Sequence, residues 1–254
     1  MILDTIVAEK KLEVAALRRR GIVPPAGEEV DPPRGFQHAL TSYEGVALIA
    51  EAKKASPSKG VICPDFHPAE IAKRYAAEGA QCMSVLTDEK FFQGHLDYLS
   101  LVRRTVDLPV LRKEFIIDTI QIEEARAHGA DAVLLIAAIL SEAQLAEFLA
   151  ASREYGMDSL VEVHDEEELA MALAVESPLI GINNRNLNTF EVSLETTFRL
   201  RRQVPAHIPL VSESGIRTND DIKAMAAARI SAVLVGETLM RQAGQGELAA
   251  LMGR

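Results

Sequence analysis

Short apolar runs alternate with amphipathic stretches along the chain from Gly45 onward. The apolar runs have the length and continuity of strands that are buried on both faces of a sheet. The stretches between them repeat apolar residues every three or four positions, which predicts helices that cover such a sheet. The eight predicted strands are residues 46–52, 82–87, 108–113, 132–137, 159–163, 178–183, 208–213 and 230–236, and the clearest predicted helices are residues 68–78, 119–128, 141–155, 165–175 and 219–228.

Strands that alternate with helices indicate a parallel sheet, and eight such units predict closure into a (β/α)8 TIM barrel. An open, doubly wound sheet is the alternative, although no GxGxxG motif follows the first predicted strand. Two of the predicted helices begin with capping-box patterns, Ser141 with Gln144 and Asp165 with Glu168. The predicted fold class is therefore α/β, with the closed barrel as its architecture.

An amphipathic helix is predicted for residues 2–20, because Leu3, Ile6 and Leu17 fall on one stripe while Lys10 and Arg18 fall elsewhere. Acidic residues inside this segment argue against a signal peptide and against a mitochondrial presequence. Residues 21–34 contain four prolines and are predicted to be linker-like. We expect a single domain overall, in which residues 1–44 form a helical extension that caps a barrel of residues 45–254.

Composition and charge narrow the classes of partner. The 254 residues carry a formal net charge of -10 with no basic tail or stripe, which argues against nucleic acid. No apolar run reaches the roughly 18 residues of a membrane span, and acidic residues dilute the basic face that a membrane-surface helix uses. Cys63 and Cys82 are too few and too far apart for a zinc site or a CxxC pair, so we expect reduced thiols and a cytoplasmic protein.

Charged or amide side chains stand at the ends of five predicted strands. Active sites of barrels lie at the C-terminal ends of the strands, and each of these residues follows an apolar or small residue by two positions, on the inward face. Lys113 shares a face with Leu111 and Phe115, where an unpaired ammonium is too costly to bury. We predict one pocket that receives Glu51, Lys53, Lys113, Glu162, Asn183, Arg185 and Glu213.

Glycines near the ends of the last two predicted strands indicate a second feature. Gly215 and Gly236 let backbone amides approach a ligand closely, because glycine has no side chain. A helix that starts near Glu237 offers the positive end of its dipole, and the last two loops bind phosphate in many barrels. We therefore predict a phosphate site at Gly215, Gly236 and Glu237.

Five motifs closely resemble those of the indole-3-glycerol phosphate synthase family. The resemblance runs in order and at family spacing from about Leu48 to Met240, and the N-terminal helix resembles the family's additional capping helix. Glu114 and Asn186 stand where aspartate is common in the family, and Glu237 stands where serine is common. Because no isomerase domain follows within the sequence, we expect the monofunctional form. The motifs are residues 49–60 (IAEAKKASPSKG), 84–94 (SVLTDEKFFQG), 111–118 (LRKEFIID), 181–185 (GINNR) and 212–216 (SESGI).

The resemblance implies a reaction and its setting. The substrate would be 1-(2-carboxyphenylamino)-1-deoxyribulose 5-phosphate, which undergoes ring closure, decarboxylation and dehydration to indole-3-glycerol phosphate in tryptophan biosynthesis. The enzyme would be a carbon–carbon lyase of the carboxy-lyase type that needs no cofactor and no metal. A phosphorylated small molecule would be its main partner, and contacts with other tryptophan-pathway enzymes belong to the same expectation.

The resemblance also implies roles for individual residues. Lys113 and Lys53 would supply protons, Glu162 would act as an acid/base group, and Glu51 and Glu213 would orient the lysines and the substrate. Asn183 and Arg185 would contact a hydroxyl or carboxylate of the substrate, and Ser214 would also contact the substrate. Ser56 and the loop of residues 57–60 would close over the phosphate end. Phe92 and Phe115 would lie on either side of the aromatic ring.

The two lysines raise a question of charge. Two ammonium groups about 6 Å apart repel by about 3 kcal/mol at an effective dielectric constant of about 20. We therefore expect one of them to be partly neutral in the empty site. A substrate that carries a phosphate and a carboxylate would restore the missing proton, which favours acid catalysis for both lysines.

Several alternatives stay open from the sequence alone. Glu51 with Lys53, or Glu162 with Lys113, could be structural ion pairs at the barrel rim, and His164 is interpreted as a solvated or hydrogen-bonded side chain. Arg112 and Glu114 are expected to face outward, toward the helices. One other enzymatic reading makes Lys113 the Schiff-base nucleophile of a sugar-phosphate aldolase. The last alternative is a phosphate-binding barrel without catalysis.

Overall fold

A closed barrel of eight parallel strands forms the centre of the protein in a computed structural model, which describes residues 2–25, 30–187, 189–241 and 246–253. The bounds of the barrel strands are β1 Ala47–Ala52, β4 Cys82–Leu86, β5 Val110–Lys113, β6 Ala132–Ile136, β7 Asp158–Val163, β8 Ile180–Asn183, β9 Leu210–Glu213 and β10 Ala232–Val235. Around the barrel these strands follow the order β1-β10-β9-β8-β7-β6-β5-β4, and β1 closes the ring by pairing with both β10 and β4.

All eight predicted strands are confirmed, and the open-sheet alternative is wrong because β1 pairs with both β10 and β4. Two short strands, β2 Ala55–Ser56 and β3 Gly60–Val61, form an antiparallel hairpin outside the barrel. The helices are α1 Ile2–Arg20, α2 Phe36–Thr41, α3 Pro68–Ala77, α4 Glu89–Phe92, α5 Leu96–Thr105, α6 Thr119–Ala127, α7 Glu142–Glu154, α8 Glu166–Ala174, α9 Glu195–Arg201, α10 Asn219–Ala227, α11 Glu237–Arg241 and α12 Glu247–Met252.

The inside of the barrel is apolar in its lower part and charged at its upper rim. Ile49, Leu111, Leu160 and Val211 belong to one buried inner cluster. Phe36 of α2 joins this cluster, and α2 thereby closes the barrel at the end where the strands begin. Side chains alternate along a strand, so the residue two places after each inner apolar residue points inward at the opposite, C-terminal rim. The alternation of side chains along the strands thus places the charged residues together at the C-terminal rim of the barrel.

The two predicted capping boxes differ in the structure. Ser141 and Gln144 form the predicted reciprocal pair at the start of α7. At α8, Asp165 caps the helix by accepting backbone N–H groups, but the side chain of Glu168 accepts hydrogen bonds from His164 instead of returning to Asp165. The carboxylate of Glu168 is therefore used by the residue that directly follows β7.

The predicted helix of residues 2–20 is confirmed as α1. The position of Lys10 contradicts the predicted polar stripe, because its side chain is only 1% exposed and lies on the same buried stripe as Ile6, Val14 and Leu17. Across the described ranges, no helix has the length and apolar character needed to cross a membrane. Residues 26–29 of the linker-like segment lie outside the described residues, whereas Arg34 at its end donates hydrogen bonds to Val106 and Leu108.

Buried charges attach α1 to the barrel. Nζ of Lys10 lies 2.7 Å from Oδ2 of Asp88 and 3.0 Å from Oε1 of Glu114. Burial lowers the pKa of Lys10, but the attraction of Glu114 and Asp88 outweighs it, so that the pKa is raised and the ammonium stays charged. Asp88 also caps α4, and Glu114 directly follows Lys113. One cation of α1 therefore lies between two buried carboxylates next to the predicted site.

We expect Lys10→Met to lower the free energy of unfolding by about 3–5 kcal/mol, because the variant removes the ion-pair partner of the buried Asp88 and one of the cations that act on Glu114. Chemical denaturation followed by circular dichroism measures the change. The neighbouring Lys11 is exposed, so Lys11→Met is the matched control and should change stability by about 0.5 kcal/mol or less. Equal stability of the two variants would show that Lys10 does not anchor α1.

Candidate active site

A cavity of about 480 Å³ opens at the C-terminal ends of the barrel strands. Charged side chains form its floor, and apolar side chains from α1 and from the loop after β8 form much of its rim. All predicted site residues border this cavity: Glu51, Lys53, Ser56, Phe92, Lys113, Phe115, Glu162, Asn183, Arg185, Glu213, Ser214, Gly215, Gly236 and Glu237. The predicted convergence of strand ends is therefore present in the structure.

Lys113 at the end of β5 is the centre of the charged floor. Its Nζ lies 2.5 Å from Oε2 of Glu213 on β9 and 3.2 Å from Oε2 of Glu162 on β7. Burial lowers the pKa of Lys113, but the attraction of Glu213, Glu162 and Glu51 is stronger in sum and raises the pKa above its ordinary value. The raised pKa favours the ammonium form, so Lys113 is not the partly neutral lysine that the sequence predicts.

Glu162 and Glu213 share Lys113 but differ in their own charge. Burial raises the pKa of Glu162, yet Lys113 and His164 reverse this effect and hold the pKa below its ordinary value. Burial also raises the pKa of Glu213; Lys113 offsets part of that rise, Glu162 adds to it, and the pKa is about 7. The floor therefore contains an ionised carboxylate and a carboxylate that can gain or lose a proton near neutral pH.

A second ion pair lies at the end of β1. Nζ of Lys53 donates a hydrogen bond of 2.6 Å to Oε1 of Glu51. Burial raises the pKa of Glu51, but Lys53 and Lys113 overcome this effect and lower it. Both pairs that the sequence left open as structural ion pairs thus exist, and both border the cavity. Their position where a substrate would lie is the feature that favours a catalytic interpretation.

Two glycines make space for the carboxylates of the floor. A Cβ atom on Gly181 of β8 would clash with Oε1 of Glu213, and a Cβ atom on Gly236 would clash with Oε1 of Glu51. Gly236 was predicted to admit a phosphate, and its contact with Glu51 adds a second reason for glycine at this position. Gly215 has a φ of 91°, in the left-handed region that favours glycine, so its backbone conformation also requires this residue.

We expect Gly181→Ala to lower kcat by about tenfold to a hundredfold, because the added methyl group would push Glu213 away from Lys113. The clash involves the far end of a side chain, so the free energy of unfolding should fall by only about 1–3 kcal/mol. Steady-state kinetics together with thermal unfolding measure the two effects. An unchanged kcat in the folded variant would show that the placement of Glu213 is not needed.

The end of β8 connects the floor to the mouth of the cavity. Nδ2 of Asn183 donates to Oε1 of Glu162 over 3.2 Å, and Oδ1 of Asn183 accepts from the backbone N–H of Arg185. The guanidinium of Arg185 lies 3.7 Å from the carboxylate of Glu237 at the start of α11, and Arg241 binds the same carboxylate. Burial raises the pKa of Glu237, but Arg241 and Lys59 more than offset it and lower the pKa. Cations therefore surround this end of the cavity.

Phe92 and Phe115 do not enclose a slot. Their ring centroids are 5.9 Å apart with an angle of 36° between the planes, so the two rings contact each other. A third ring between them would need centroids about 7 Å apart, at twice the ordinary van der Waals separation. In this arrangement the two rings leave no space for a third ring between them and form one aromatic wall of the cavity.

Several residues at the site were not predicted from the sequence. Asn184 is buried and donates hydrogen bonds to Ser212 and to the backbone carbonyls of Glu213 and Ser214, which fixes the end of β9. Apolar side chains at the rim of the cavity include Ile2, Leu3, Ile6, Leu187 and Phe190. The doubled asparagine of the motif GINNR is an available signal for Asn184. The predicted capping role of residues 1–44 does not specify which side chains of α1 reach the cavity.

Eight parallel strands with a buried lysine–carboxylate cluster at their C-terminal ends define a (β/α)8-barrel enzyme. The sequence model of the family described as Indole-3-glycerol phosphate synthase matches residues 3–250. The chain belongs to the indole-3-glycerol phosphate synthase family, and its activity is the one that gives this family its name.

Curated relatives support this assignment over nearly the whole chain. The indole-3-glycerol phosphate synthase of Desulfotalea psychrophila (strain LSv54 / DSM 12343) is 57% identical and covers 100% of this chain and 98% of its own. That of Polaromonas naphthalenivorans (strain CJ2) is 52% identical and covers 99% and 98%. Among solved structures, the N-acetylmannosamine-6-phosphate 2-epimerase from Clostridium perfringens has a TM-score of 0.64 at 13% identity and covers 85% of this chain and 96% of its own, which shows a shared fold.

Proposed function

We propose that the protein converts 1-(2-carboxyphenylamino)-1-deoxyribulose 5-phosphate to indole-3-glycerol phosphate in this cavity, by ring closure, decarboxylation and dehydration. In this proposal the enzyme is a carbon–carbon lyase of the carboxy-lyase type and acts in tryptophan biosynthesis. The observation that carries the assignment of roles is the buried contact of one ammonium, Lys113, with the two carboxylates of Glu162 and Glu213. This cluster contains both a proton donor and a proton acceptor within reach of one substrate.

The phosphate and the aromatic ring of the substrate would bind to different groups of residues in the cavity. Gly215, Gly236 and the first residues of α11 lie near Arg185, so the phosphate would bind between backbone amides and this guanidinium. Ser56 lies in the β2–β3 hairpin beside the same cavity and would close over the phosphate. The apolar rim and the wall of Phe92 and Phe115 offer a surface for the aromatic ring.

In ring closure, the aromatic carbon that bears the carboxylate forms a bond to the ketone carbon of the sugar chain. The ketone oxygen gains negative charge, and Lys113 donates a proton to it because this ammonium is held in its charged form. Carbon dioxide then leaves, and the electron pair of the broken carbon–carbon bond restores the aromatic ring. Lys113 recovers a proton from the surrounding carboxylates and solvent.

In dehydration, the new hydroxyl group leaves as water and the double bond of the indole forms. Lys53 donates a proton to the leaving hydroxyl, and Glu162 accepts the proton from the adjacent carbon, since its carboxylate is kept ionised. Glu51 and Glu213 hold the two lysines in place. Asn183 orients Glu162, and Ser214 would contact the substrate beside the phosphate.

The charge of Lys113 weighs against the aldolase reading. A Schiff-base nucleophile must be a neutral amine, whereas the carboxylates around Lys113 raise its pKa and favour the ammonium form.

We also propose that residues 1–44 are an extension of a barrel of residues 45–254. In this proposal the protein works in the cytoplasm without a cofactor. Any contacts with other enzymes would involve enzymes of the tryptophan pathway.

Indole fluorescence offers a direct assay, because the sequence contains no tryptophan and its background is low. Purified protein is mixed with the carboxyphenylamino deoxyribulose phosphate in a chelator-containing buffer without nucleotide. A rising indole signal supports the proposal. If folded protein gives no signal, but borohydride traps a covalent adduct on Lys113 with a sugar phosphate, the aldolase reading replaces it.

A further inference from the structure

His164 lies next to the proposed catalytic residues but has no role in the proposed reaction steps. It directly follows β7, and its side chain is 12% exposed. Nδ1 of the imidazole lies 2.9 Å from Oε2 of Glu168 on α8, and the backbone N–H of His164 donates to the same oxygen over 2.8 Å. Nε2 faces the other way and lies 3.3 Å from Oε1 of Glu162. The imidazole thus bridges a helix carboxylate and the carboxylate proposed to move protons.

The surroundings of the imidazole favour its charged form. Burial lowers the pKa of His164, but Glu162 and Glu168 outweigh this effect and raise the pKa to about 10. The ionisable groups that face the imidazole are Glu162 from β7 and Glu168 from α8, while Lys113 from β5 approaches the opposite oxygen of Glu162. The resulting stability is fully present below the ordinary pKa of about 6.5 and is lost as the pH rises through the raised value.

We propose that His164 is a positioning residue: as an imidazolium clamped by Glu168, it holds a positive charge 3.3 Å from Oε1 of Glu162 and keeps this carboxylate ionised beside Lys113. The inference rests on the proposed role of Glu162 and extends it to the residue that supports its charge. Glu168 becomes the anchor that fixes the orientation of the imidazole. The arrangement explains why Glu168 binds His164 instead of completing a capping box with Asp165.

Glu162 needs such a partner because its other contacts are shared. Lys113 lies closer to Glu213 than to Glu162, so Glu213 competes for the ammonium. Asn183 donates to Oε1 of Glu162 but carries no charge. Nε2 of His164 is buried and makes no well-directed hydrogen bond to the described residues, and its closest acidic oxygen is Oε1 of Glu162. The imidazolium is therefore a cation that Glu162 does not share with Glu213.

The first test measures the charge of His164 directly. Two-dimensional NMR of the ¹⁵N-labelled imidazoles distinguishes neutral from doubly protonated rings, and the signal that disappears in His164→Asn identifies the residue. We expect His164 to stay doubly protonated from about pH 6 to about pH 9, whereas an ordinary histidine loses its proton near 6.5. In Glu168→Gln the ring should titrate at a pH lower by about one unit or more. Titration near 6.5 in the unchanged protein would overturn the proposal.

The second test separates positioning from binding by the indole assay. We expect His164→Asn to lower kcat by about tenfold while KM stays within about twofold, because substrate contacts are kept. The acid limb of the kcat/KM profile should move to higher pH by about one unit or more, since Glu162 loses a neighbouring cation. His207 is exposed in a turn, so His207→Asn is the matched control with unchanged kinetics. A kcat within twofold of the unchanged protein would contradict the proposal.

Glu168→Gln keeps the test valid if His164→Asn does not fold. This variant retains the ring and nearly the same volume, and we expect a smaller fall in kcat together with the lowered imidazole pKa; an unchanged kcat would count against the proposal. Failure of the proposed function would give a different result from failure of the proposed role of His164. In that case the unchanged protein forms no indole, while NMR still reports whether His164 is charged between the two carboxylates.

Discussion

Lys113→Met will lower kcat by at least about 10³-fold while leaving the barrel folded. The variant removes the ammonium that is proposed to protonate the ketone oxygen, and positioned general acids and preorganised charges each contribute factors of about 10² or more. Methionine keeps most of the volume of the lysine stem, which limits loss of packing. Indole formation at saturating substrate, after circular dichroism has confirmed the fold, measures the effect.

The same variant should lose stability in a way that depends on pH. Without Lys113, the carboxylates of Glu162 and Glu213 stay buried without a shared cation, which costs about 3–5 kcal/mol when one partner of a buried pair is removed. Protonation of Glu213 relieves part of the repulsion, so the variant should gain stability relative to the unchanged protein as the pH falls. Lys73 pairs only at the surface of α3, and Lys73→Met is the control that should keep both activity and stability. Wild-type turnover by folded Lys113→Met would remove Lys113 from the mechanism.

Glu162→Gln will lower kcat by about 10²–10⁴-fold, the range expected when a general base is removed. Glutamine has the shape of glutamate and can still accept a hydrogen bond from Lys113 or Asn183, so the fold and the binding of substrate should change little. The loss should therefore appear in kcat and not in KM. Single-turnover measurements of indole formation distinguish a slower chemical step from slower product release.

A matched carboxylate on the surface provides the control for that experiment. Glu166 at the start of α8 pairs with Arg199 and is about half exposed, so Glu166→Gln should retain full activity. Retention of most of the activity in Glu162→Gln would transfer the proton-accepting role to another carboxylate of the floor, with Glu213 as the first candidate. That outcome would also remove the reason for the proposed role of His164.

The period-two pattern within strands explains why much of the site could be predicted. Once Ile49, Leu160 and Val211 are recognised as inward residues of parallel strands, the positions of Glu51, Glu162 and Glu213 at the rim follow from alternation. Parallel strands of a closed barrel all end at the same rim, so residues that are far apart in the sequence must meet there. Arg112 falls on the opposite parity and binds Glu124 on α6. Glu114, also expected to face outward, lies beyond the end of β5 and borders the cavity.

Contacts between a helix and a distant loop could not be predicted in the same way. Lys10 looks like a solvated residue in the helical pattern, and only the docking of α1 places it beside Asp88 and Glu114. The spacing of Phe92 and Phe115 depends on how α4 packs over the end of β5, which no periodicity encodes. The charge of Lys113 likewise depends on distances to several carboxylates.

His164 shows the same limit at the end of a strand. Its position two residues after Glu162 is visible in the sequence, which predicts a solvated or hydrogen-bonded histidine there. The pairing with Glu168 was hidden because the spacing of Asp165 and Glu168 matches a capping box, which is the commoner use of a glutamate at that position. Glu168 thus has two possible local partners, Asp165 and His164, and the structure shows that it binds His164.

The lysine–carboxylate cluster of the barrel is proposed to carry out a decarboxylating ring closure. Mass analysis of the carboxyphenylamino deoxyribulose phosphate after incubation with the protein, run in parallel with Lys113→Met, tests this claim most directly. We predict a product lighter by one carbon dioxide and one water with the unchanged protein, and intact substrate with Lys113→Met. Intact substrate with both proteins, or the same product with both, would contradict the claim.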